Sequence, residues 1–272
     1  MSFGDRLAER VAERHSQVVV GLDPDPARIP GGVSGAEDFC RRIVAVAGPF
    51  AVAVKIQVAC FERFGSEGWA AWERIAREAA EQGLLVIADA KRGDIDATSR
   101  AYAEAFLRPP VDALTVNPML GSDAVAPFVE AATSAGLGLF VLVRTSNPGA
   151  ADLQDLELSD GRMWHEAVAS LVASWGAPSV GAAGLSSVGA VVGATVPERL
   201  VHLRQLMPHQ PFLLPGVGAQ GGDAAMLGAA FGGRAAGALV TASRSIIYAP
   251  DPAGAAAALR DQVWSAQERA SA

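Results

Sequence analysis

Along the chain, short apolar runs rich in β-branched residues alternate with longer stretches whose apolar positions recur at helical spacing. Eight runs read as strands: QVVVGLD from Gln17, AVAVKIQ from Ala51, LLVIADA from Leu84, DALTVNP from Asp112, GLFVLVRTS from Gly138, VGAVVGA from Val188, PFLLPGV from Pro211 and GALVTAS from Gly237. Helical patterns fall between them, including Glu67–Gln82, Ala97–Leu107, Asp123–Ala135, Gly161–Trp175 and Pro197–Leu206. Pro197 suits the first turn of its helix, where the missing N–H has no intrahelical partner to lose. Strand runs this uniformly apolar belong in a parallel sheet covered by helices. Eight strand–helix units predict an α/β fold built as a single (β/α)8 TIM barrel, with a doubly wound open sheet as the competing arrangement. No Pro/Ser-rich linker divides the chain, so one domain over residues 1–272 is expected. The GGVSG stretch from Gly31 reads as a loop.

Half of the 272 residues are hydrophobic, enough for one large core. The formal net charge of −7 argues against a broad nucleic-acid-binding surface, while a locally positive pocket could still take a small anion. Cys40 and Cys60 form no CxxC pattern, and no Cys/His cluster suggests zinc, so reduced thiols in a cytoplasmic protein are expected. The N-terminal MSFGDRLAERVAERHSQ is charged and helical in pattern, unlike a signal peptide. Gly, Pro or charge interrupts every apolar run well short of a membrane span.

In a parallel barrel the C-terminal ends of the strands form the functional face, and the polar residues of the runs collect there. The first run ends in Asp23, the second carries Lys55, and the third ends in Asp89 and Lys91. The fifth ends in Thr145, Ser146 and Asn147, the seventh in PGVGAQGG and the eighth in SRS. Asp89 and Lys91 are two residues apart, which on a strand puts both side chains on one face. A carboxylate and an ammonium are tolerated there only as a pair. Asp94 lies just past the strand, with Thr98 at the start of the next helix. A purely structural salt bridge is the bland reading of one such pair; Lys55 and Asp23 at neighbouring strand ends favour a functional cluster. After the last two strands, Gly216, Gly218, Gly221 and Gly222 would let backbone N–H groups approach a phosphate, and Arg244 adds a forked donor. His15, His165, His202 and His209 read as surface residues. Trp69 and Trp72 read as packing on the outer helices, and Asp25 in LDPDP as a turn residue.

The stretch VIADAKRGDIDATSRAY, with its D-x-K-x-x-D-I core, resembles the signature of the orotidine 5'-phosphate decarboxylase family. The resemblance runs through VGLDPDP, VKIQVACFERFG, LTVNPMLGSDAVAPF, VRTSNPGA, VVGAT, LLPGVGAQGGD and SRSIIYA, and DAKRGDI with RTSNPGA is similar to the longer bacterial branch. It implies that Lys55, Asp89, Lys91 and Asp94 form an alternating charge network, with Lys91 as proton donor to C6 of the pyrimidine and Asp89 beside the leaving carboxylate. It further implies that Asp94 and Thr98 reach into the neighbouring subunit's site in a homodimer, and that Asp23 and Lys55 hold the ribose. Ser146 would bond the pyrimidine, Pro215 would pack near it, and Gln220 and Arg244 would hold the 5'-phosphate. The chain departs from the family's usual VKPQ at Ile56, beside Lys55.

Such chemistry needs no metal or organic cofactor. Loss of CO2 from C6 leaves an electron pair in an sp2 orbital with no conjugated sink, and a fixed ammonium can stabilise that charge and then protonate it. The stretch NPGAADLQDLELSDG is expected to act as a lid. Two other readings compete: a metal-dependent sugar-phosphate decarboxylase or aldolase on the same barrel, and a nucleotide-binding protein without catalysis. The first would place a carboxylate where Lys55 stands, and a lysine there opposes a bound cation; the second has no need of a buried charge cluster.

Overall fold

The computed structural model describes residues 1–193, 197–216 and 227–271. Eight parallel strands close into a barrel in chain order: β1 (Val18–Leu22), β2 (Ala53–Gln57), β3 (Leu85–Arg92), β4 (Ala113–Val116), β5 (Gly138–Arg144), β6 (Val188–Val192), β7 (Phe212–Pro215) and β8 (Ala238–Ala242). Strand β8 pairs back onto β1 through Val18↔Val240 and Val19↔Thr241, which excludes the open doubly wound sheet. Every strand run read from the sequence overlaps one of these strands, with β3 running two residues past the end of its run to Arg92, and the helix Pro197–Leu206 forms with those bounds. Among the described residues no helix is long and apolar enough to cross a membrane.

The two faces of each strand feed two cores. Val18, Val20 and Leu22 of β1, Val54 and Ile56 of β2, and Val86 and Ala88 of β3 face outward and pack under the helices. Val19, Ala53, Leu85, Ile87, Phe140, Leu213 and Leu239 fill the barrel interior. Each such Val, Leu or Phe contributes roughly 1.5–3 kcal/mol by leaving water. Ile56 therefore lies on the face opposite Lys55, fully buried beneath the helical layer, and the departure from the family's Pro leaves the inward lysine in place.

The bottom of the barrel is closed by the helix Phe3–Arg14, whose Phe3, Leu7 and Val11 recur four apart on one face. Phe3 meets Phe140 edge-on with ring centroids 6.0 Å apart. At Gly138 a Cβ would run into the Phe3 ring, so glycine is what lets this helix dock. The sealed base leaves the C-terminal ends of the strands as the open end.

Two expectations need correction. The GGVSG stretch is not a loop: a helix runs over Gly32–Ala47, with Gly31 as its N-cap. Its glycines serve the turn into the helix, because a Cβ at Gly35 would collide with the carbonyl of Pro30. His165 is not a surface residue: it is 3% exposed, with Nδ1 2.6 Å from the Gln154 carbonyl and 3.3 Å from Asp155. His15 and His202 are exposed as expected, and His209 is half-buried. Trp69 and Trp72 stack on each other and meet Phe106 edge-on in the outer layer.

Candidate active site

A cavity of about 430 Å3 opens at the C-terminal ends of the strands. It brings together Asp23, Lys55, Asp89, Lys91, Ser146, Pro215 and Arg244, all singled out from the sequence and drawn from six strand ends and the loops that follow. Gln220, Gly218, Gly221 and Gly222 lie outside the described residues.

Asp89 is the hub. Its Oδ2 accepts from Lys55 Nζ at 2.6 Å and Gln57 Nε2 at 3.2 Å, and its Oδ1 from Lys91 Nζ at 2.6 Å and Thr115 Oγ1 at 3.0 Å. Burial opposes its charge, but Lys55 and Lys91 outweigh burial and hold its carboxyl far below the usual aspartate range. Burial likewise opposes charge on Lys55, and Asp23 and Asp89 overcome it, raising that ammonium above the ordinary lysine value. The cluster is thus formally charged and nearly neutral in sum.

The two lysines differ in access. The Lys55 side chain is 9% exposed and that of Lys91 45%. An ammonium has three donors; with one on Asp89, Lys91 keeps donors for a bound molecule. Asp23 Oδ1 is 3.6 Å from Lys55 Nζ and, among the described residues, accepts no hydrogen bond although it is buried. A carboxylate so placed suits a hydroxyl donor.

Strand alternation predicted that Asp89 and Lys91 share a face, and the structure reaches that result by a bulge. The β3–β4 register shifts between Ala88 and Arg92, and Lys91 takes φ 48°. Asp94 and Thr98 follow on the next loop and helix and do not line the cavity of their own chain; Asp94 instead caps Ile95 N at 2.8 Å.

The segment after β5, read as a lid, folds into a turn at Pro148–Ala150 and a short helix at Ala151–Gln154. It is fastened by Asp155, which pairs with Arg144 at 2.9 Å and with Arg199 at 2.9 Å. Hydrogen bonds from Arg144 lead the effects that bring the Asp155 pKa down to about 2. Gln154 Oε1 accepts from Thr145 N at 2.8 Å, so the same segment braces the stretch that presents Ser146.

Sequence reasoning missed Thr115, Gln57 and Thr241. Thr115 and Thr241 line the cavity at 1% and 5% exposure. Their signal was present as strand parity: Gln57 is two residues from Lys55, and Thr115 interrupts an apolar run at an inward position.

A closed (β/α)8 barrel with a buried lysine–aspartate–lysine cluster at the open ends of its strands defines a barrel enzyme. Residues 16–259 match the Orotidine 5'-phosphate decarboxylase / HUMPS family, and the chain belongs to that family. A Haloarcula marismortui protein named orotidine 5'-phosphate decarboxylase is 46% identical over 261 residues, covering 93% of this chain and 89% of that protein. One of the same name from Rhodopirellula baltica is 42% identical over 270 residues, covering 92% and 89%. Among solved structures, Leishmania donovani OMP decarboxylase superposes with TM-score 0.83 at 36% identity, covering 98% of this chain and 99% of that one.

Proposed function

We propose that this chain decarboxylates orotidine 5'-phosphate to uridine 5'-phosphate, as a step of pyrimidine nucleotide synthesis, without metal or organic cofactor. The observation that carries the reading is the half-exposed Lys91 ammonium, held on a carboxylate that two lysines keep ionised, at the mouth of a cavity sized for a nucleotide. The bond between C6 and its carboxylate breaks, the electron pair stays on C6, and CO2 departs. Lys91 stabilises the developing charge at no cost in reorganisation, since Asp89 already fixes it, and then gives its proton to C6. The neutral amine regains a proton from water. Asp89 stands beside the leaving carboxylate, so departure of CO2 relieves a like-charge contact.

The remaining roles follow the cavity. Asp23 and Lys55 hold the ribose hydroxyls, the acceptor being Asp23 Oδ1, which takes no hydrogen bond among the described residues. Ser146 bonds the pyrimidine and Pro215 packs against it. Arg244 and Gln220 take the 5'-phosphate, whose remote binding energy helps organise the site. Asp94 and Thr98 complete the site of a second copy in a homodimer. Supporting this, Ile95, Met119 and Leu120, on the loops after β3 and β4, are apolar side chains 57%, 57% and 53% exposed. One domain spans residues 1–272, and the protein works in the cytoplasm.

The test is to mix purified protein with orotidine 5'-phosphate and follow the loss of its ultraviolet absorbance, before and after exhaustive EDTA dialysis. Turnover that survives dialysis is expected. Activity lost to EDTA and restored by Mg2+ would move the assignment to the metal-dependent sugar-phosphate branch, and no turnover at all would leave a nucleotide-binding protein.

A further inference from the structure

One hydroxyl ties together the strand end that carries Lys91. A non-glycine residue at φ 48° is uncommon, because its Cβ crowds the backbone. At the β3 bulge the Lys91 N–H does not join the strand ladder; it donates to Thr115 Oγ1 at 2.9 Å. The same oxygen sends its own proton to Asp89 Oδ1 at 3.0 Å. Both directions are determined by chemistry, since a backbone N–H only donates and an ionised carboxylate only accepts. Asp89 Oδ1 in turn accepts from Lys91 Nζ at 2.6 Å. The circuit closes: Lys91 is held at its backbone and at its ammonium through a single threonine that is 1% exposed.

We propose that Thr115 is a positioning residue for the decarboxylation, acting through Lys91 and Asp89. The inference rests on the function proposed above. Its hydroxyl holds Lys91 in the left-handed conformation that aims the ammonium, and aligns the Asp89 oxygen on which that ammonium rests. Valine would fill the same space while leaving the Lys91 N–H without an acceptor and Asp89 Oδ1 with one donor fewer. Serine would keep both hydrogen bonds and lose only a methyl.

The experiment compares wild type with Thr115→Val, Thr115→Ser and Thr115→Ala for turnover of orotidine 5'-phosphate, and solves crystal structures of the Val and Ser variants. Thr115→Val is expected to lower kcat about 10- to 100-fold with KM within about threefold, because a mis-aimed proton donor slows chemistry more than binding. Thr115→Ser is expected within about threefold of wild type. Lys91 should leave the left-handed region in the Val structure and keep it in the Ser structure. Wild-type turnover in Thr115→Val, a Ser variant as impaired as Val, or a loss confined to KM would each overturn the proposal. So would an unmoved Lys91 backbone in the Val structure. If Thr115→Val does not fold, the Ser and Ala pair makes the same comparison of hydroxyl against none. If wild type turns over no orotidine 5'-phosphate, the decarboxylase reading falls, and the Lys91 backbone in the variant structures still decides whether the hydroxyl holds it.

Discussion

Replacing Asp89 with Asn tests the charge cluster most directly. The side chains of Lys55 and Asp89 are 9% and 7% exposed, so removal of the carboxylate strands a buried ammonium. The asparagine amide also presents N–H donors toward groups that are themselves donors. Breaking one side of a buried ion pair costs about 3–5 kcal/mol. Asp23, 3.6 Å from Lys55, remains as a partner, which places the expected loss at the low end, about 3 kcal/mol. At roughly 2–4 °C per kcal/mol for a chain of this size, Tm should fall by about 6–12 °C. Scanning calorimetry at pH 7 measures this directly. Adding Lys55→Met removes the stranded charge, so the double variant should unfold at a higher temperature than Asp89→Asn alone, while remaining inactive. Because the fold depresses the Asp89 pKa, its stabilisation is fully present above the unfolded aspartate value of about 3.9 and is lost as pH falls below it. The gap in Tm between wild type and Asp89→Asn should therefore narrow below about pH 4. An Asp89→Asn variant unfolding within about 2 °C of wild type, or a double variant no more stable than the single, would refute the reasoning.

Lys91→Ala should fold normally, since its side chain is half-exposed, and lose at least ~10²–10⁴-fold in kcat; near-normal turnover would remove it as proton donor. Arg244→Ala should raise KM and also lower kcat, because phosphate binding energy is used at C6; steady-state kinetics in which neither changes would move the phosphate site elsewhere. Lys91→Ala and Asp94→Ala should each be nearly inactive alone, yet regain about a quarter of wild-type activity when refolded together, since half of the dimers are mixed and each has one intact site. No recovery, with mixed dimers confirmed by mass spectrometry, would confine each site to one chain.

Much of the site was legible because barrel strands obey a strict rule. Each is buried on both faces, so a charged residue inside such a run is either paired or functional, and Lys55 and Asp89 stood out on that ground. Thr115 and Gln57 obey the same parity but carry no charge, and a lone hydroxyl or amide is too common in strands to point to a site until its partners are known. His165 misled for the reverse reason: a histidine in a helical stretch away from every strand end reads as exposed, and only the folding back of the post-β5 segment brings the Gln154 carbonyl and Asp155 onto it.

The sequence by itself determined the eight strand runs, their alternation with helices and the resemblance to the family, while the choice between a closed barrel and an open sheet waited on the pairing of β8 with β1. Hydrophobic periodicity is a local property that survives without knowledge of neighbours, and the D-x-K-x-x-D-I stretch is contiguous. Tertiary structure alone decided the bulge at Lys91, the hydroxyl circuit through Thr115 and the pinning of the post-β5 segment by Arg144 and Arg199. Each joins residues far apart in the chain across strands whose register is set by closure of the barrel. A hydrogen bond depends on distances of a few tenths of an ångström, which only the packed barrel specifies.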